Sequence, residues 1–179
     1  MVVQELKARD YVQREDFTVR MQVVFEEEEN PIILMSDEAH FHLNGAVNKQ
    51  NCLYWSPDNP HNIHQQPLHS DRVTVWCAVA PFGIIGTYFF EENGVTLIAN
   101  SARYIEMITN ILRPELRRRR INCANVWFKQ DGAIAHTANE SKTIVRNMFP
   151  GHLISFFGDV PWPLALPIFQ RVIFSFGGI

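Results

Sequence analysis

The sequence has few cysteines, no long hydrophobic run and little net charge, and the first two shortages each exclude a class of protein. Its three cysteines, Cys52, Cys77 and Cys123, form no Cys-x-x-Cys pair, so neither a disulfide framework nor a structural zinc site is expected. No apolar run approaches the length of a membrane span, and the charged amino terminus lacks a signal-peptide pattern. We therefore expect a soluble, intracellular protein with reduced thiols and no membrane partner.

What the chain does contain indicates one globular domain. A length of 179 residues can bury a sizeable core, and 46% hydrophobic and 12% aromatic residues favour a folded over a disordered chain. The net charge of −3 neither supports nor excludes nucleic-acid binding. Affinity for nucleic acid depends on local basic patches rather than on net charge. A cluster of metal-binding carboxylates would also make the net charge of a nucleic-acid-binding enzyme more negative.

Two apolar runs of strand length each end in an aspartate. Val126–Lys129 leads to Asp131, and Ile32–Met35 leads to Asp37. The carboxyl ends of strands are where α/β sheets usually place their chemistry. Two carboxylates at such positions are suited to a hard divalent cation such as Mg²⁺, which can activate a nucleophile and stabilise a leaving oxygen in phosphodiester chemistry. An ordinary loop aspartate is the competing interpretation of each.

The remaining pattern predicts a mixed sheet with helices packed on it, an α/β fold. Phe17, Met21, Val24 and Phe25 lie at helical spacing and predict an amphipathic helix within residues 1–30, followed by a solvated acidic turn at residues 26–29. The other predicted elements are strands at 73–80, 84–90 and 153–156, a turn at 93–94, a helix that Ser101 caps and Pro114 kinks or restarts, and a helix opened by a capping box at 137–140.

Four consecutive arginines, Arg117, Arg118, Arg119 and Arg120, end the predicted helix that begins at Ser101. They complement the negative end of a helix dipole, or they contact DNA phosphates. A nuclear-import signal is a third alternative, although four residues match it weakly. Three loop histidines, His61, His64 and His69, lack the spacing of a metal site and are interpreted as hydrogen-bonded or exposed.

Five blocks of sequence, in order between residues 31 and 163, resemble those of the mariner/Tc1-type transposases. The resemblance implies a ribonuclease-H-like catalytic core with an Asp-Asp-Asp or Asp-Asp-Glu triad that binds Mg²⁺ or Mn²⁺. By this resemblance Asp37 and Asp131 are the first two members of the triad, both catalytic and metal-binding. Glu38, His40 and His136 lie near them in the sequence and are expected, at most, to position the metal ligands without binding the metal themselves. The blocks are Ser36-Asp37-Glu38-Ala39-His40-Phe41, Val73-Thr74-Val75-Trp76-Cys77-Ala78, Gly86-Thr87-Tyr88-Phe89-Phe90, Gln130-Asp131-Gly132-Ala133 and Phe157-Gly158-Asp159-Val160-Pro161-Trp162-Pro163.

The resemblance also implies a function and an organisation. The function is DNA transposition by DNA strand cleavage and strand transfer, with transposon ends and target DNA as partners, a homodimer as the assembly, a nuclear location and no small-molecule substrate. Residues 1–30 correspond to a linker and residues 31–163 to the catalytic core. The helix-turn-helix domains of relatives have no counterpart here, so the core is expected to be truncated at both ends.

Residues 164–179 break the family pattern, because they contain no acidic residue. Relatives place the third acidic ligand shortly after Pro-Trp-Pro. A displaced reading frame with freely chosen third bases restores such a block, with its aspartate where Ile168 stands, so the tail is interpreted as frameshifted. Asp159 precedes the triad position and is not accepted as a substitute. The chain is therefore predicted to be an inactive transposase domain. The alternatives are a non-catalytic relic that binds DNA or another transposase subunit, and an unrelated ribonuclease-H-like nuclease.

Overall fold

The computed structural model describes residues 7–42 and 72–163. The predictions for Cys52, the loop histidines at 61, 64 and 69, and the tail at 164–179 with Ile168 lie outside these residues. In chain order the elements are α1 (Ala8–Glu27), β1 (Ile32–His42), β2 (Arg72–Ala80), β3 (Gly83–Phe89), β4 (Glu91–Glu92), β5 (Val95–Thr96), α2 (Ser101–Met107), a π-helical turn (Ile108–Leu112), α3 (Arg113–Arg118), a 3-10 turn (Cys123–Asn125), β6 (Val126–Lys129), α4 (Ile134–Thr137), α5 (Asn139–Met148), β7 (Leu153–Ser155) and β8 (Val160–Pro161).

Six strands form one mixed sheet in the order β3-β2-β1-β6-β7-β8. The first three strands pair antiparallel, and β1, β6, β7 and β8 pair parallel. A two-residue turn at Asn93 and Gly94, both with positive φ, joins β4 to β5 as the sequence predicted. The predicted α/β class with a mixed sheet and flanking helices is confirmed.

Each face of the sheet carries its own apolar cluster. On one face Leu34, Trp76 and Phe128 pack against α2, α3 and α5. On the other face Trp127, Ile154 and Trp162 pack against α1. Because side chains alternate across a strand, Leu34 and Phe128 share one face while Ile33 and Trp127 share the other. The alternating pattern fixes the register, since a shift of one residue would expose both clusters.

Helix α1 confirms the predicted amphipathic helix, with one correction. Val24 is buried, and Phe17 and Met21 pack beside it. Phe25 was grouped with them, but its side chain is 55% exposed, because it lies about 100° further round the helix than Val24. The acidic turn is not wholly solvated either, since Glu28 accepts a hydrogen bond of 2.9 Å from Trp127 Nε1.

The predicted helix starts also need correction. Asn100, rather than Ser101, caps α2, because its side chain accepts from the Arg103 amide. Thr137 does not open α5, because its hydroxyl donates to Ile134 O at 3.3 Å within the short helix α4. Pro114 restarts the helix as predicted, because it lies in the first turn of α3, directly after the π-helical turn. Of the helices in the described part of the chain, none is long and apolar enough to cross a membrane.

Candidate active site

The pairing of β1 with β6 places two aspartates at the same edge of the sheet. The strands are parallel neighbours, and Met35 lies opposite Lys129. Asp37 and Asp131 each lie two residues further on, just past the last residues that pair β1 with β6. The prediction that the two strands are adjacent is confirmed. Asp37 does not end its strand as predicted, because β1 continues to His42 through its pairing with β2. This edge is built because β6 is a short, fully buried strand that the Asp-Gly sequence then terminates.

Asp131 is fixed by a turn and by a histidine. Its Oδ1 accepts a hydrogen bond of 2.9 Å from the Ala133 amide, which folds the chain back into α4. The same oxygen lies 2.7 Å from His136 Nδ1. The other ring nitrogen, His136 Nε2, lies 3.2 Å from Glu38 Oε1 on the neighbouring strand. His136 therefore bridges the two strands through two carboxylates.

The two carboxylates keep this histidine charged. Burial opposes the charge, but the hydrogen bonds to Asp131 and Glu38 outweigh it and raise the pKa of His136 to about 10. Burial likewise raises the pKa of Asp131, but the hydrogen bond from His136 and that ring's charge leave the pKa below its ordinary value. At neutral pH the bridge is thus an imidazolium between two carboxylates, with both ring nitrogens donating.

The buried side chain of Tyr104 packs against His136. The Tyr104 ring lies 4.4 Å from the His136 ring, and its hydroxyl donates to Gln130 Oε1. Burial, together with the charges of Glu38 and Asp131, raises the pKa of the Tyr104 phenol well above its usual value. The phenol therefore remains a hydrogen-bond donor at neutral pH. Helix α2 carries Tyr104, so this helix places the tyrosine ring against the imidazole of His136.

Asp37 lies in a different environment from Asp131. The pKa of Asp37 is raised to about 6, because burial outweighs the lowering effect of the Lys129 charge, and the charges of Asp131 and Glu38 also raise it. Its Oδ1 accepts a hydrogen bond of 2.9 Å from the Glu38 amide. Burial lowers the pKa of Lys129 in turn, whereas Asp37 raises it. The Lys129 ammonium also lies 4.5 Å from the centre of the Trp162 ring.

Asp37 and Asp131 offer the hard oxygen donors that Mg²⁺ and Mn²⁺ prefer. Two carboxylates just past the last parallel pair of adjacent strands fit part of a divalent-metal site. Within residues 7–42 and 72–163, no group of three or more His, Cys, Asp or Glu side chains is arranged to hold a metal ion. The Asp159 carboxylate accepts a hydrogen bond of 2.9 Å from the Leu153 amide, at the start of β7. Its partner is therefore the backbone of β7.

Not every residue proposed from the sequence lies at this edge. His40 Nδ1 lies 3.0 Å from Thr74 Oγ1 on β2. Arg119 donates to Phe82 O and Ile84 O, in and beside the turn between β2 and β3. Since β2 runs antiparallel to β1, this turn lies at the opposite edge of the sheet.

The four arginines share this distant end of α3. Arg118 and Arg119 bind Glu115, with nitrogen–oxygen distances of 2.7 Å. Their hydrogen bonds lower the pKa of Glu115 to about 2. Arg117 and Arg120 are exposed. Contact of Arg117–Arg120 with DNA phosphates stays a prediction, and these ion pairs engage two of the four guanidinium groups.

Sequence reasoning missed Lys129, Tyr104 and Gln130. Lys129 had a signal, because a lysine in an otherwise apolar strand, two residues before Asp131, must point to the same side as that aspartate. Tyr104 was assigned to an apolar helix face, which is correct for its ring but not for its hydroxyl. Gln130 appeared only within a family block.

Comparisons with solved structures show what this fold resembles. No protein-family model and no curated protein matches the sequence. A Mos1 transposase paired-end complex with the left transposon end matches 99% of this chain at 20% identity, with a TM-score of 0.68. The catalytic domain of Mos1 mariner transposase matches 99% at 16% identity, with a TM-score of 0.63. The chain has the fold of the Mos1 transposase catalytic domain. The expected ribonuclease-H-like core is thereby confirmed.

The match covers only part of the Mos1 chains. This chain spans 50% of the transposase in the complex with the left transposon end, and 74% of the isolated catalytic domain. A mariner Mos1 paired-end complex with Mg matches to the same extent, with a TM-score of 0.67 at 20% identity over 50% of that chain. The likeness agrees with the resemblance noted in the five sequence blocks.

Proposed function

We propose that this chain is a catalytic domain of the DDE/DDD transposase type, of the mariner group, in which the acidic ligand set is incomplete. The observation that supports the proposal is the parallel pairing of β1 with β6, in which Asp37 and Asp131 each follow the last pair, Met35 with Lys129, by two residues. The fold it shares with the Mos1 catalytic domain supports the assignment. Its substrate is DNA, namely transposon ends and target DNA.

Asp37 and Asp131 would hold Mg²⁺ or Mn²⁺. When bound, the ion supplies Lewis-acid stabilisation of the charge that develops during phosphodiester cleavage. The surrounding residues determine how well the two carboxylates can bind the ion. The Ala133 amide and His136 both bind Asp131 Oδ1, which fixes the carboxylate's orientation, and 44% of this side chain remains exposed. Because the pKa of Asp37 is raised to about 6, we expect its affinity for a cation to fall as the pH drops below 6.

Charge balance at the site points to weak metal binding. His136 and Lys129 are two cationic side chains beside Asp37, Glu38 and Asp131, so the protein itself supplies part of the compensating charge. The third acidic position of the family pattern holds Ile168, and Asp159 is engaged by the Leu153 amide. Because errors of about an ångström in placing reacting groups cost on the order of a hundredfold in rate, we expect no strand cleavage by this chain.

A nicking assay with Mg²⁺ or Mn²⁺ on transposon-end DNA tests the proposal. Two proteins are compared, each fused to the DNA-binding region of a relative: this chain, and a version whose tail is restored to the displaced frame. We expect metal-dependent nicking only from the restored protein, and we expect Asp131→Ala to abolish it. No nicking by the restored protein would contradict the transposase assignment. Nicking by the unrestored chain that Asp131→Ala abolishes would contradict the proposed loss of activity.

The second candidate is a non-catalytic relic that binds DNA or another transposase subunit. The observation that favours it is the acid-free sequence after Pro163. Under this alternative the chain binds transposon-end DNA but cuts nothing, even after its tail is restored. A homodimer and a nuclear location stay predictions from the resemblance, as does the division of the chain at residues 30 and 163.

A further inference from the structure

The turn between β7 and β8 presents two aromatic rings where small polar residues are usual. Phe156 and Phe157 occupy the two central positions of a turn that the Gly158 amide closes by donating to Ser155 O at 3.0 Å. Their side chains are 39% and 47% exposed. Turn centres favour Gly, Pro, Asn, Asp and Ser, so two phenylalanines contradict the local preference. Such contradictions are expected mainly at functional or strained positions.

This turn is held firmly. A Cβ on Gly158 would come within 2.3 Å of Leu153 O, so only glycine fits there. The Trp162 amide also donates to Ser155 O, at 2.9 Å. Arg146 Nη2 donates to Phe157 O at 2.7 Å and ties the turn to α5. The two rings are therefore presented in a fixed arrangement, edge to face with centroids 4.6 Å apart.

Two cations accompany the rings. The Lys142 ammonium lies 4.8 Å from the centre of the Phe157 ring, and Arg146 binds the backbone of the same residue. Among the described residues, neither Lys142 nor Arg146 forms an ion pair with a carboxylate. Exposed aromatic rings beside uncompensated cations suit a strand of nucleic acid, because bases stack on the rings while phosphates meet the cations.

The position of the turn connects it with the candidate active site. Strands β6 and β7 pair in parallel, with Lys129 opposite Ile154. Both strands then end, β6 at Lys129 and β7 at Ser155, and Asp131 and Phe156 each lie two residues beyond this pair in the sequence. The turn thus follows the end of the strand that neighbours β6, and β6 leads to the aspartate that the proposed function places in DNA cleavage.

We infer that Phe156, Phe157, Lys142 and Arg146 form a stacking platform for unpaired nucleotides of a DNA strand next to Asp131. The platform binds one or two bases on the rings and one or two phosphates on the cations, and it favours single-stranded over duplex DNA because paired bases are already stacked. This inference rests on the proposed action on DNA. It goes further by specifying that the domain binds an unpaired segment of the DNA strand.

Fluorescence anisotropy with a labelled oligothymidylate, and with a duplex of equal length, tests the inference without metal or cleavage. The variants are Phe156→Leu and Phe157→Leu, which keep an apolar side chain but remove the aromatic face. The matched control is Phe89→Leu, because Phe89 is 49% exposed on β3, at the far side of the sheet. Thermal unfolding of each variant establishes that it is folded.

We expect each platform variant to weaken single-strand binding by about 5- to 100-fold and the control to leave it unchanged. We expect Lys142→Gln and Arg146→Gln each to lower the salt dependence of single-strand binding by roughly one released counterion. Single-strand binding unaltered in both phenylalanine variants would overturn the platform while leaving the proposed function intact. Failure of the wild-type chain to bind either DNA would overturn the platform and count against the proposed function.

Discussion

Replacement of His136 by glutamine is predicted to change stability in a strongly pH-dependent way. The side chain is 1% exposed and contacts Asp131 and Glu38 through its two nitrogens. Glutamine retains hydrogen-bonding groups but removes the positive charge. The two carboxylates would then face one another without compensation. Breaking a buried charge pair costs about 3–5 kcal/mol, and the 44% exposure of Asp131 reduces this to about 2–3 kcal/mol through solvent screening.

The pH dependence follows from the raised pKa of the histidine. Between its ordinary value of 6.5 and its folded value of about 10, the folded protein binds a proton that the unfolded chain has released. The stabilisation is therefore complete below pH 6.5 and is lost as pH rises toward 10. We expect His136→Gln to be less stable than wild type by about 2–3 kcal/mol near pH 6 and nearly equal to it near pH 10.

Urea unfolding of both proteins at pH values from 6 to 10 measures this difference directly. Burial also shifts the pKa values of Lys129 and Tyr104, but both residues are present in each protein, so the difference reports on the histidine and on the carboxylates that it contacts. A gap between the two stability curves that stays constant with pH would refute the charged bridge. Equal stability at pH 6 would show that the contact contributes nothing.

Three further predictions concern other parts of the chain. Asp159→Ala leaves the Leu153 amide without its partner and should cost about 1–3 kcal/mol in urea unfolding, whereas Asp159→Asn, which keeps an acceptor, should cost less; equal losses would argue against this hydrogen bond. Gly158→Ala should cost about 1–3 kcal/mol by overpacking, and an unchanged melting temperature would contradict the tight turn. Truncation after Pro163 should raise solubility, because residues 164–179 carry one charged residue, Arg171; unchanged or lower solubility would indicate that the tail packs.

The location of the two aspartates on or just after neighbouring strands could be predicted in part, because the apolar runs before them are strong local signals. The buried strand β6 and the apolar start of β1 stand out in the sequence, and an Asp-Gly step ends β6 clearly. Parallel strands side by side bring their carboxyl ends together whatever lies between them. The mixed sheet and its flanking helices could also be predicted, because the order of strands and helices along the chain is typical of an α/β fold.

The bridge made by His136 could not be predicted, because it depends on a short-range fold of the chain after Asp131. The sequence pattern suggested a helix opening after Thr137, but the chain already turns at Ala133 and forms α4 from Ile134. The Ala133 amide contact with Asp131 fixes this earlier turn and directs the imidazole toward Glu38. A hydrogen bond between residues 98 positions apart leaves no mark in either local segment.

Lys129 and Phe25 show two other limits of sequence reasoning. Periodicity assigns a residue to a face of its element but does not specify what covers that face. Phe25 lies near the apolar face of α1 but just beyond the sheet contact. Lys129 lies on a covered face, where Asp37 and the Trp162 ring compensate its charge.

Binding of Mn²⁺ to the purified chain at pH 7.5, followed by electron paramagnetic resonance, tests the central claim that Asp37 and Asp131 share a metal site. Wild type should bind one ion weakly but saturably. Asp37→Asn and Asp131→Asn should each reduce affinity by at least the roughly 10- to 100-fold that loss of an outer-shell partner costs at metal sites. Glu115→Gln, at the opposite sheet edge, is the control and should change nothing. Equal affinity in wild type and both aspartate variants would contradict the claim.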